Sequence, residues 1–124
     1  MTLILLMILF QIKHFICDYP LQTNYMLGKT KDKGWMLPLT CHAGVHSLFT
    51  LLIVTVFGGI WLGLMMAIFD FSIHFIIDRI KSKASKGIQT DDPRFWRYLG
   101  LDQMSHHLTH YVIILIIGVK NAFI

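Results

Sequence analysis

The sequence predicts an all-α, integral membrane bundle of four transmembrane helices, running up-down-up-down as a single membrane domain over residues 1–124. Three observations predict it. The chain is 55% hydrophobic and only 15% charged, whereas about a quarter of an ordinary soluble domain is charged. Its apolar residues gather into four stretches, about 3–18, 38–57, 60–80 and 101–119, which read as helical spans. Its Lys and Arg residues gather in two of the connections between those stretches, the pattern by which membrane helices orient. The net charge of +4 then needs no nucleic acid to explain it, and none is expected as a partner. Membrane lipid is.

The first span, about 3–18, is short for a hydrocarbon core of about 30 Å. Its start lacks the positive region and small-residue cleavage site of a signal peptide, so it reads as a retained span. Gln11, His14 and Asp18 share one stripe, while Lys13 lies off it and is expected to snorkel to the interface. Tyr19-Pro20 biases the chain out of helix. The next connection carries Lys29, Lys31 and Lys33, with Tyr25 and Trp35 suited to the membrane interface. Pro38 is tolerated in the opening turn of the second span, which has His42 and His46 one turn apart. Gly58-Gly59 makes a very short turn, forcing the second and third spans antiparallel.

In the third span Gly63, Ala67, Asp70 and His74 share a stripe on which small residues let a neighbouring helix approach. The polar connection from Arg79 to Arg97 follows, and its segment Phe95-Trp96-Arg97-Tyr98 mixes aromatics and cations as interfacial segments do. The fourth span carries Asp102, His106 and His110 at intervals of four. By the positive-inside rule the basic connections lie in the cytoplasm and both termini outside, in an inner (plasma) membrane.

The pairs His14/Asp18, His42/His46, His74/Asp78 and Asp102/His106 recur, one per span, at the end nearest those basic connections. Asp70/His74 and His106/His110 bring the i,i+4 pairs to six, where scattered placement would give about one or two. Ionisable groups in apolar spans cost several kcal/mol each and mark function by default. All eight residues of the four pairs are candidate metal ligands: His14, Asp18, His42, His46, His74, Asp78, Asp102 and His106. A divalent transition metal would neutralise clustered carboxylates that otherwise repel. Eight donors exceed one tetrahedral site, so one or two ions are expected, zinc first, with manganese or iron compatible. His107, off the stripe, reads as an interhelical hydrogen-bond partner. Asp70 and His110, one turn deeper, read either as ligands or as groups that orient a ligand. Cys17 and Cys41 form no disulfide framework and read as small apolar filler. All seven acidic residues are Asp, which excludes His-Glu-x-x-His metalloprotease and Glu-based di-iron motifs.

Taken together, His14-x-x-x-Asp18-Tyr19-x-Leu21-Gln22, His42-x-x-x-His46, His74-x-x-x-Asp78 and Asp102-Gln103-x-x-His106 resemble a family of small bacterial and phage membrane proteins, domain of unknown function 3307. The pattern is also distantly similar to membrane-bound metal-dependent hydrolases, a likeness that implies a reaction class by analogy. Gln22 and Gln103 match the motif and become candidate substrate or ligand-orienting contacts.

The functional expectation is a metal-dependent hydrolase with its site at the cytoplasmic membrane face. One ion would activate water and the second hold the electrophilic or leaving oxygen. Asp70 or Asp102 would take the proton, and Lys81 with Arg79 would clamp a phosphate or carboxylate. The substrate is expected to be amphiphilic or phosphorylated. Two alternatives use the same residues: a metal-ion or proton transporter, which at this size would need to oligomerise, and a non-catalytic membrane protein with a structural metal.

Overall fold

A computed structural model describes residues 2–122. Among them the secondary structure is α1 (Thr2–Asp18), a short 3-10 helix (Met26–Thr30), α2 (Met36–Gly58), α3 (Ile60–Ala84) and α4 (Pro93–Ala122), with no strand. The all-α expectation holds. By length and composition, two of the helices can cross a membrane: α2, with mean hydropathy 1.6, and α3, with 2.0. α1 has 17 residues, about 26 Å at the helical rise.

The helix ends follow local chemistry. Pro20, which cannot donate a backbone hydrogen bond, stands just past the end of α1. α2 and α3 are joined by Gly59 alone, at φ 83°, a left-handed conformation that glycine adopts without a Cβ clash. Its N–H donates to the Thr55 carbonyl at 2.9 Å. α4 begins at Pro93, eight residues before the apolar stretch at 101. The reason is a cap: the Arg94 N–H donates to Asp92 Oδ1 at 2.8 Å, and Pro93 fills the first helical position, where its missing N–H costs nothing. The Arg94 guanidinium bonded to Asp92 holds that carboxyl below the usual carboxylate range. α3 likewise continues past Ile80 to Ala84.

The helices alternate in direction around a ring in which α1 neighbours α2 and α4, and α3 neighbours the same two. α2 and α4 touch across the middle, whereas the backbones of α1 and α3 do not approach. α2 and α3 pack most closely, because Gly63 leaves room: a Cβ there would stand 2.3 Å from Thr55 Oγ1 and 3.2 Å from the Leu51 carbonyl oxygen. Ser47 Oγ donates across the same seam to the Ala67 carbonyl at 2.7 Å. At the far end, the Lys120 ammonium and the Asn121 amide donate to the Gly58 and Phe57 carbonyls that end α2, supplying donors to a helix C-terminus.

Layers follow one another along the bundle. The end bearing the α2–α3 turn is filled by Leu6, Phe10, Val54, Met66, Ile113, Ile114 and Ile117. Beyond them the interior becomes polar: Lys13, Thr50, Asp70 and His110 first, then the histidines and carboxylates of the four pairs, all buried or nearly so. The 3-10 helix packs on α2 and α3 at that polar end.

Candidate metal centre

Each i,i+4 pair projects from one helical face, and the ring arrangement turns all four faces inward. Six of the eight candidate ligands therefore meet as donor sets, while His14 and Asp102 stand outside them, His14 Nε2 3.1 Å from Asp18 and Asp102 Oδ1 3.5 Å from His106 Nε2. Among the described residues, two sets have donor atoms within 4.8 Å of one another: Asp18, His42, His46 and His74, and His74, Asp78 and His106. Together they draw on all four helices.

Two carboxylates organise the centre. Asp18 Oδ1 lies 3.0 Å from His46 Nε2 and 3.5 Å from His42 Nε2, and its Oδ2 lies 3.1 Å from His14 Nε2. Asp78 Oδ1 lies 3.1 Å from His106 Nε2 and 3.7 Å from His74 Nε2, while its Oδ2 lies 3.4 Å from His42 Nε2. His42 thus stands between the two carboxylates. His74 stands between rings, its centroid 3.9 Å from that of His46 and 4.0 Å from that of His106.

The polar bookkeeping of this cluster is incomplete. His42 and His74 are each 1% exposed, yet neither nitrogen of either ring has a hydrogen-bond partner. Buried polar groups are nearly always satisfied, so four orphaned imidazole nitrogens ask for a ligand. The donor set fits a divalent transition metal: imidazole nitrogen and carboxylate oxygen are the ligands zinc, manganese and iron accept. The spacing fits as well. Donors about 2.0–2.1 Å from a tetrahedral ion stand roughly 3.3 Å apart, within the 3.0–3.7 Å separations between Nε2 atoms and carboxylate oxygens here.

The centre opens on one side, into a cavity of about 190 Å³ whose walls include Asp18, Asp78, Asp102, Gln103, Lys29 and Lys81. Lys81 is where the sequence expectation needs it. Arg79, its expected partner in clamping an anion, is elsewhere: its guanidinium stacks over the Trp35 ring at 3.7 Å. Lys29 stands at the cavity wall in its place. Carried by the 3-10 helix, it donates to Asp78 Oδ2 at 2.5 Å. No periodicity marks a loop lysine for this position, and sequence reasoning missed it. Gln103 accepts or donates at three points, lying 3.0 Å from His14 Nε2, 3.2 Å from Asp102 Oδ2 and 3.5 Å from Asp18 Oδ2. Gln22 lines the cavity with its amide turned back on the Asp18 carbonyl at 2.9 Å. Asp102 is buried, and its Oδ1 has no hydrogen-bond partner.

One turn deeper the structure corrects the reading of Lys13. It does not snorkel: it is 2% exposed. Its ammonium donates to Asp70 Oδ2 at 2.8 Å and lies 3.3 Å from His110 Nε2. Thr50 Oγ1 donates to the same Asp70 oxygen at 2.6 Å. The physical reason is the diagonal gap: α1 and α3 stay apart, and only a long side chain spans it to neutralise a buried carboxylate. Asp70 is therefore engaged by a cation, not by the imidazole cluster, and of the two aspartates expected to take a proton Asp102 is the one beside the cavity. Cys17 is buried and Cys41 exposed, both free. His107 packs against the His14 ring at 5.2 Å, but its Nε2 has no hydrogen-bond partner, so the interhelical bond expected of it is not made.

Fold and site define a class: an all-α protein with two helices able to cross a membrane and a buried His/Asp cluster able to hold a metal ion. The chain belongs to the family described as "Protein of unknown function (DUF3307)", which it matches over residues 5–123. Comparison with curated proteins and with solved structures gives no match.

Proposed function

We propose that this protein is an integral membrane, metal-dependent hydrolase whose His/Asp centre holds one or two divalent ions, zinc before manganese or iron. The observation that carries the reading is the set of orphaned nitrogens on His42 and His74, buried behind Asp18 and Asp78, the two carboxylates that also line an open cavity. A purely structural site would be closed, whereas a catalytic one keeps a side open.

All four helices cross the membrane in this reading. Support comes from outward faces that no soluble protein would leave bare: Ile4 and Phe15 on α1, Leu52 and Val56 on α2, Trp61 and Ile68 on α3, and Leu108 and Leu115 on α4 are all exposed. The basic connections and the cavity share one end, assigned to the cytoplasm by the positive-inside rule.

Bound ions supply Lewis-acid polarisation and a water nucleophile at neutral pH. The chain supplies the rest. Asp18, His42, His46, His74, Asp78 and His106 hold the ions, with His14 and Gln103 bracing Asp18. Asp102, at the cavity wall with its buried Oδ1 3.5 Å from His106 Nε2 and its Oδ2 bonded by Gln103, takes the proton from water. Lys81 gathers an anionic substrate, with Lys29 beside it on Asp78. The test is elemental analysis of purified protein with a screen of phosphoester and amide amphiphiles: one to two equivalents of metal are expected, lost in His42→Ala and His74→Ala together with cleavage. A metal-free protein that stays folded and active would sink the reading.

A transporter uses the same residues, and the buried Lys13, Asp70 and His110 extend the polar interior by a turn in its favour. Against it stands the apolar layer beyond them.

A further inference from the structure

The catalytic cavity has a neighbour. A groove of about 230 Å³ runs between α3 and α4, lined by Ile77, Ile80, Ala84, Tyr98, Leu101 and Ser105 together with Lys81 and Asp102. Lys81 and Asp102 also line the cavity above the metal centre. The two spaces therefore share a wall made of one cation and one buried carboxylate with an unpartnered oxygen. On one side of that wall carboxylates, lysines and amides mix with apolar groups; on the other the lining is almost entirely apolar. The groove is open to the outside of the bundle, since Ile80 is 61% and Leu101 54% exposed. It lies one helical turn from Phe95-Trp96-Arg97, a mixture of rings and cations that belongs at headgroup depth.

Resting on the hydrolase reading, we propose that the substrate is a membrane amphiphile with an anionic phosphoester headgroup, seated with the headgroup in the cavity and its alkyl chain in the α3–α4 groove. Lys81 selects the headgroup: it faces the cavity and, among the described residues, makes no ion pair, while Lys29 is held by Asp78 and bound divalent ions would offset the aspartates of the wall. Lysine ammoniums bind phosphate as point charges. Continuity selects the chain. A soluble phosphate would use the cavity and leave the groove idle, whereas an amphiphile diffusing in the bilayer enters sideways, its chain exchanging for lipid already against Ile80 and Leu101. Lys81, at the junction, meets the phosphate where headgroup becomes tail.

The test uses zinc-loaded protein in phosphatidylcholine nanodiscs and a non-hydrolysable dodecyl phosphonate with a diazirine at mid-chain. Photolabel is expected on peptides spanning 77–84 and 98–105, at least fivefold above that from the matching dodecanol probe. Lys81→Met should reduce it to the dodecanol level, and so should Ser105→Trp or Ile80→Trp, which fill the groove from its open side; unchanged zinc content in each variant reports an intact centre. Label spread over all four helices, or equal from phosphonate and alcohol, would overturn the amphiphile while zinc content left the metal centre standing. Inorganic phosphate competing as well as the dodecyl phosphonate would assign the site to a soluble phosphate and overturn it too. Absence of zinc would overturn the hydrolase reading and this one together.

Discussion

Lys13 shows how much a single residue contributes once its surroundings are known. Removing one member of a buried ion pair leaves the other uncompensated, at a cost of about 3–5 kcal/mol, whereas replacing both by apolar residues is often neutral. Lys13→Met is therefore expected to destabilise the protein by that amount in denaturant titrations in detergent. The double variant Lys13→Met, Asp70→Leu should recover most of it. If single and double variants are equally unstable, the pair does not neutralise itself as the 2.8 Å contact implies. Sequence spacing could not have shown this, because periodicity assigns a residue to a helical face but not to a partner 57 positions away. The four His/Asp pairs were legible for the complementary reason: their members are four residues apart on one helix, where spacing and geometry are the same thing. A second pair of substitutions separates holding a metal from using it. Asp78→Asn removes a charge that three imidazoles face and should cost metal content. Asp102→Asn should leave the metal bound and stop turnover, as elemental analysis beside an activity assay would show.

Among the elements, α4 illustrates where hydropathy misleads. Its apolar stretch begins at 101, but the helix begins at Pro93. The signal was present as Asp92-Pro93, an N-cap residue followed by a first-turn proline; the cation-rich aromatic segment behind it read instead as a membrane-surface stretch. The two are compatible, since a helix can carry its first turns through the interface. Asp92→Ala removes the side-chain acceptor of the Arg94 N–H, a loss of about 1 kcal/mol. Amide hydrogen exchange should quicken over residues 94–97 and remain unchanged around His106; faster exchange at His106 would mean that the cap holds the whole helix. The 3-10 helix was read only as connection, and its importance is positional: it carries Lys29 onto Asp78.

At the scale of the molecule, the layers set what the protein can do. Orientation is the first consequence. In a background with the exposed Cys41 replaced, single cysteines at Lys31 and Lys86 should resist impermeant thiol reagents in intact cells and react after lysis; labelling from outside would invert the assignment.

The second consequence separates enzyme from transporter. A transport path needs polar groups or a hydrated passage through the full depth of the bilayer. Here buried ionisable side chains run from the cavity through the His/Asp cluster to Lys13, Asp70 and His110, and then stop. Beyond them Leu6, Phe10, Val54, Met66, Ile113 and Ile117 form a closed apolar plug, with Gly63 holding α2 against α3 too tightly for a side chain to swing between them. On the hydrolase reading the polar interior is a pocket with one mouth. Protein reconstituted in liposomes is therefore expected to pass zinc, manganese and protons no faster than protein-free vesicles, while still binding metal from the cavity side. Flux abolished by Asp78→Asn would show that the plug opens and that the bundle has a second state. In that event the buried Lys13–Asp70 pair, the last polar station before the plug, is where the path continues, and Lys13→Met with Asp70→Leu should block it without emptying the metal centre.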